Sequence, residues 1–254
     1  MGIGWVVIAT ALAAAAGLLS VRDARAAMPR STAYGVLVLV FLAQLMGLSW
    51  RGELRGQCPL SDLGEICLFL AWSLVFFYLV TGRAYRHSLL GFFTAPFVIV
   101  LQLVTLVPGS FKSGVERVTE VDPWRELHAA LSVLSYGALA LAAVAGVMFF
   151  VLNDSLKTKR FGVGLVSGMP SVHLLVRGMA QIALVGWLIL TAGIIAGFML
   201  TSGDKYVHLM VATATWVLYA VLLGVYFVRG MPGRQLAIGL TSLFLLSLLV
   251  FANL

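Results

Sequence analysis

Apolar runs about as long as a membrane is thick alternate along this chain with short polar loops. A helix needs about 20 apolar residues to cross a bilayer. Eight runs meet that need: 3–20, 32–50, 63–81, 89–107, 127–152, 180–200, 207–228 and 235–252. The pattern predicts an all-α, polytopic membrane helix bundle, a single integral membrane domain over residues 1–254. No large soluble domain fits, because the longest stretch without an apolar run extends only from Pro108 to Leu127. Between Gly162 and Met179, "GVGLVSGMPSVHLLVRGM" is too polar and too interrupted by Gly and Pro to be a span. It reads as a short interfacial helix, 162–179, on the inner surface. No internal repeat and no low-complexity tract stands out.

Composition agrees with the pattern. Hydrophobic residues make up 61% of the chain and charged ones 11%, against about 25% charged in soluble domains. The mean hydropathy is +1.02. The net charge of +7 changes meaning once the charges are placed on loops. Loops after the odd-numbered spans hold eleven basic residues, from Arg22 to Arg234, with Asp23 and Asp154. The other loops hold six basic and eight acidic residues. Lys and Arg favour the cytoplasmic side, so both termini are expected outside. The basic excess is then an orientation signal, and nucleic acid is excluded as a partner in favour of membrane lipid. The first run lacks a basic segment before it and is followed by Arg22, Arg25 and Arg30, which suits a retained helix rather than a cleaved signal.

Topology sorts the four histidines. His128 heads the fifth span and His208 the seventh, so both rings enter from the outer leaflet, while His87 and His173 belong to the inner face. Neutral imidazole ligates iron, and two helices that hold haem between histidines need the rings at similar depth. From His128, the residues Ser132, Ser135, Tyr136 and Leu139 follow on one stripe. From His208, Ala212, Thr215, Trp216 and Tyr219 lie on the corresponding stripe. Such faces either pack closely on other helices or leave room for a flat macrocycle.

Two readings therefore stand side by side. In one, His128 and His208 ligate haem iron, with Ser132, Ser135, Tyr136, Trp216 and Tyr219 lining the pocket. In the other, both histidines are interfacial and the stripes are packing surfaces. His87 in "RAYRHS" and His173 in "PSVHLLVR" read as parts of interfacial cationic clusters, with an inner-leaflet pair for a second haem as the alternative. Other chemistry is thin. A disulfide between Cys58 and Cys67 is allowed by spacing but not demanded. There is no C-x-x-C-H haem attachment, nucleoside-phosphate loop, nucleophile elbow or zinc-protease helix. The loop "RGELRGQCPLSDLGE" reads as solvated, with Ser61 or Asp62 capping the third span.

Two blocks of this sequence resemble the cytochrome c assembly family (CcsA/ResC). "GQCPLSDLGEICLFLAWSLVFFYLV" is similar to a family segment reading roughly G-H-x-P-L-S-N-L-Y-E-S before a Trp-containing helix; Pro59, Leu60, Ser61, Leu63, Glu65 and Trp72 match. Gln57 stands for the family's histidine and Asp62 for its asparagine. "LHAALSVLSYGALALAAVAGVMF" resembles the helix entered by an external histidine, matching at His128, Ser132, Ser135, Tyr136 and Ala138. The likeness covers roughly residues 50–250. The tryptophan-rich outer segment of haem-exporting members is replaced by "TSGDKYVH", and the second external histidine beyond the last tryptophan helix has no counterpart up to Leu254. "KYVHLMVATATWVLYAVLLGVYFVRGMPGR" is instead similar to the smaller eight-helix relatives YpjD and HemX, through His208, Trp216, Tyr219, Gly233 and Arg234.

The resemblance implies a non-enzymatic haem-handling protein with haem b on His128 and His208. It would assist cytochrome c maturation or haem homeostasis beside cytochrome c maturation components, in a bacterial cytoplasmic (inner) membrane; a plastid location is not distinguished. The HemX-type likeness also implies an alternative, a cofactor-free regulator or scaffold contacting a tetrapyrrole-synthesis enzyme through the inner face. A carrier of another small solute ranks last, since the spans lack buried charges and paired broken helices.

Overall fold

Backbone groups in lipid find no water, so an apolar run this long satisfies them by coiling into an uninterrupted helix. A computed structural model describes residues 2–25, 32–85, 88–111, 117–118, 120–157, 171–200 and 206–252. Its described residues form eight helices and no strand: α1 (Gly2–Arg25), α2 (Thr32–Arg55), α3 (Leu63–Tyr85), α4 (Ser88–Leu106), α5 (Pro123–Lys157), α6 (Val172–Phe198), α7 (Tyr206–Arg229) and α8 (Gly233–Ala252). The all-α expectation is borne out. Among the described residues, six helices are long and apolar enough to cross a membrane. Leu90–Leu106 and Gly233–Leu249 are apolar but shorter.

The structure corrects the separate interfacial helix expected over 162–179. Val172 to Met179 form the first two turns of α6, continuous with the apolar run that follows. Ser171 caps them, its hydroxyl oxygen accepting the Leu174 N–H at 3.3 Å. A serine at this position starts the helix because its hydroxyl satisfies an N–H that the first turn leaves without an intrahelical partner. The remainder of 162–170 lies outside the described residues.

The helices fall into two compact units. In the first, α1 and α3 each pack on α2 and α4, closing a ring of four. In the second, α5 and α7 each pack on α6 and α8, and α6 also meets α8. Small residues set the second unit's spacing. Every residue from Gly137 to Gly146 of α5 is buried. A Cβ on Gly146 would stand 2.9 Å from Thr241 Oγ1, and one on Gly186 would stand 2.9 Å from Leu139 Cδ2. With lipid as apolar as leucine, such close approach is what makes helix association favourable.

Candidate functional site

Asp122 and Pro123 decide where α5 begins. The Asp122 carboxylate accepts the Trp124 N–H at 3.0 Å, and Pro123 opens the helix where its missing N–H costs nothing. His128 is therefore the sixth residue of α5, half-buried against the far end of the antiparallel α6. Its Nδ1 lies 2.8 Å from the Gly193 carbonyl oxygen. A carbonyl only accepts, so Nδ1 carries the proton and donates it. In the neutral ring Nε2 then holds a lone pair, which is the arrangement of a histidine prepared to bind a metal through Nε2.

Glycines make that contact possible. A Cβ on Gly197 would sit 2.8 Å from His128 Nδ1, 3.0 Å from its Cε1 and 3.0 Å from Leu209 Cδ1. A Cβ on Gly193 would sit 3.3 Å from Ser132 Oγ. Gly193 and Gly197 thus form a recess for the imidazole. The signal was present in the sequence as "GIIAG", a small-x-x-x-small spacing, but nothing there tied it to His128.

The residues expected at the pocket turn in different directions. His128 and Ser132 face the α6 glycines. Ser135 is buried, and its hydroxyl donates to the Ser132 carbonyl of its own helix at 2.7 Å. Tyr136 hydrogen-bonds with the side chains of Thr215 on α7 and Ser247 on α8. Tyr219, wholly buried and close to Tyr136, has a hydroxyl without a hydrogen-bond partner. Trp216 turns to α6 instead: its Nε1 donates to Thr191 Oγ1 at 2.7 Å and its ring stacks on Trp187 at 5.3 Å. The division follows from helix geometry. At about 100° per residue, an offset of eight lies about 80° away from the histidine, whereas offsets of seven and eleven stay within about 20°.

His208 is the third residue of α7, one position before the Leu209 that reaches the Gly197 recess. The Tyr136–Thr215 hydrogen bond links the parallel helices α5 and α7. His128 stands eight residues from Tyr136, about 12 Å along its axis, and His208 seven from Thr215, about 10.5 Å. His128 and Leu209 both border the Gly197 recess, so the heads of α5 and α7 lie at similar depth. His173 is exposed at the start of α6, and His87 lies outside the described residues.

A second polar centre lies in the first unit and corrects the expectation of a solvated loop. Arg51 and Arg55, one turn apart at the end of α2, meet Asp62 and Glu65 at the start of α3. Arg51 Nε donates to Glu65 Oε1 at 2.8 Å and Arg51 Nη2 to Asp62 Oδ2 at 3.1 Å. Arg55 Nε reaches Glu65 Oε1 at 2.5 Å, and its Nη2 bonds Asp62 Oδ2. The Glu65 and Asp62 side chains are 0% and 2% exposed. Two cations and two anions neutralise one another, which is the condition for burying such charge.

The second carboxylate oxygen of Glu65 accepts the Ser61 N–H at 3.1 Å, so the "PLSDLGE" block is a cap and an ion cluster at once. The Arg51 guanidinium also lies 4.8 Å from the centre of the Phe111 ring. The Gly64 N–H donates to Ser110 O at 2.9 Å and the Val118 N–H to Arg55 O at 2.9 Å, tying the loop to the segment after α4. Gly56, with φ +69, makes the turn that leaves α2. Cys58 and Cys67 do not form the disulfide that their spacing allows. Gln57 Nε2 donates to Ser61 Oγ at 3.2 Å.

Known proteins share this arrangement of sequence. The family model described as Cytochrome C assembly protein matches residues 60–252, from the "PLSDLGE" block to the end of α8. A cytochrome c biogenesis protein CcsA of Prochlorococcus marinus (strain MIT 9301) is 25% identical over 245 residues, covering 85% of this chain and 79% of the relative. The CcsA of Synechococcus sp. (strain RCC307) is 27% identical over 256 residues, covering 86% and 81%. That of Mesostigma viride is 23% identical over 233 residues, covering 80% and 76%. With the family's match running from the acidic half of the ion cluster through the His128 helix to the final pair of helices, this chain belongs to the cytochrome c assembly protein family.

Proposed function

We propose that this is a haem-handling integral membrane protein that assists cytochrome c maturation or haem homeostasis, with haem b held between His128 and His208. The observation that carries the reading is the His128 ring. Its Nδ1–H is anchored on the Gly193 carbonyl at 2.8 Å, which fixes the tautomer and orients Nε2 as a ligand. The shared border of His128 and Leu209, the residue after His208, on the Gly197 recess supports the pairing of the two histidines. Tyr219, deeper in the same unit beside Tyr136, adds a buried hydroxyl with an open hydrogen-bonding capacity. Haem, when bound, supplies an iron centre that accepts two nitrogen ligands. The chain's own residues supply the rest: His128 and His208 bind, Gly193 and Gly197 orient the first ring, and the apolar helices exclude water.

In this reading all eight helices cross the membrane, both termini lie outside, as the basic-residue bias supports, and the membrane is the bacterial inner membrane. The transfer of haem to an apocytochrome requires a maturation partner to supply the outer platform, since "TSGDKYVH" replaces the tryptophan-rich segment. The chain then acts as a binding and handing-on protein rather than as an enzyme.

The test is a visible spectrum of the purified protein. A sharp Soret band that shifts on reduction is expected. It should be lost in His128→Ala and in His208→Ala and retained in His87→Ala and His173→Ala. Equal haem content in all four variants rejects the ligand pair. A wild-type protein that never carries haem favours the regulatory alternative, with contacts to a tetrapyrrole-synthesis enzyme.

A further inference from the structure

The first unit contains a layer of polar side chains that no part of the proposed function uses. Val6, Leu48 and Leu68 form a buried apolar cluster, with Leu106 packed against it. One helical turn further from the ion cluster, each of the four helices carries a polar residue: Thr10 on α1, Gln44 on α2, Trp72 on α3 and Gln102 on α4. The offset is four residues in every case, with the sign set by chain direction, so the four lie at one depth. Gln44 belongs to the buried stripe Leu37, Val40, Ala43 and Leu48, which faces the unit's interior. Gln102 belongs to the buried stripe of Ala95, Val98 and Thr105.

Gln44 and Gln102 are each 0% exposed. Neither the amide nitrogen nor the amide oxygen of either has a hydrogen-bond partner, and the buried Trp72 Nε1 has none. The Thr10 hydroxyl donates to the Val6 carbonyl at 2.7 Å, which leaves its oxygen able to accept. Unpaired amide groups deep among apolar helices are costly, and a native layer of them implies a partner.

From this we infer that the layer is an internal binding site for a small neutral ligand, namely a cluster of ordered water. The chemistry of the groups selects it. Two amide N–H2 groups and an indole N–H donate, two amide oxygens and the Thr10 hydroxyl accept, and none of them is charged. The occupant must both donate and accept, must bring no charge, and must fit between close-packed apolar layers. Water bridging two to four polar groups meets all three conditions. The Val6, Leu48 and Leu68 layer seals the site from the ion cluster, so its water exchanges slowly with bulk.

The test uses the full chain in lipid nanodiscs and X-ray hydroxyl-radical labelling, which marks side chains next to bound water. Trp72 should be labelled several-fold faster in the wild type than in the Gln44→Leu/Gln102→Leu double variant. The single Leu variants should also lower the unfolding temperature, because each strands the water's other partners. Equal labelling of Trp72 in both proteins, or leucine variants that unfold at higher temperature, overturns the inference. Where the double variant fails to fold, a wild-type density map that resolves ordered water decides. Water between the two amides supports the site, and amides bonded directly to each other overturn it.

Discussion

Gly197→Ala isolates the recess that positions His128. The added methyl would stand 2.8 Å from His128 Nδ1 and 3.0 Å from both His128 Cε1 and Leu209 Cδ1. Non-bonded heavy atoms prefer about 3.5–4.0 Å, so the ring has to retreat by half an ångström or more. The hydrogen bond to Gly193 O, now 2.8 Å, cannot survive that shift in good geometry. Overpacking costs about 1–3 kcal/mol and the lost bond about 1 kcal/mol, while alanine in place of glycine within a helix returns about 1 kcal/mol. The net expectation is destabilisation by about 1–3 kcal/mol together with lower haem content. Gly224→Ala, on α7 with nothing within 4 Å of its added Cβ, is the control and should gain up to about 1 kcal/mol. Denaturant unfolding and Soret absorbance per mole of protein read both effects. If the two alanine variants unfold alike and hold equal haem, the recess does not position His128 and the reasoning fails.

Other predictions concern the two polar centres. Glu65→Ala leaves Arg51 and Arg55 with only one of the two carboxylates they share, and a broken buried ion pair costs about 3–5 kcal/mol. A loss below about 1 kcal/mol in the same unfolding assay would mean that the cluster is effectively solvated. Tyr219→Phe removes a buried hydroxyl that has no partner. The haem-free protein should be unchanged or up to about 1 kcal/mol more stable, while haem content falls. A variant that is less stable without haem and unchanged in haem content would show that the hydroxyl serves packing alone.

Helix positions were readable from the chain because lipid makes the rule strict. The expected span 89–107 corresponds to α4 at Ser88–Leu106, and 235–252 to α8 at Gly233–Ala252. Misreadings fell where apolar runs give way to polar residues. Gly and Pro in 162–179 suggested a separate element, whereas Ser171 caps a continuous α6. Charges at 51–65 suggested solvent, because composition cannot distinguish a wet loop from four charges that neutralise each other across two helix ends. The stripe below His128 grouped Tyr136 with Ser132, although an eight-residue offset turns Tyr136 towards Thr215 and Ser247.

By itself, the sequence determined the all-helical class, the order and approximate positions of the helices, and the presence of a histidine at the head of α5 and of α7. Hydrophobic length and local capping are properties of neighbouring residues, so they can be read along the chain. The tertiary structure alone decided which carbonyl holds His128, which glycines admit its ring, and how Arg51 and Arg55 are neutralised. It also placed Thr10, Gln44, Trp72 and Gln102 at one depth. Each of these depends on the register between helices far apart in sequence, and register is set by how side chains interlock when helices pack.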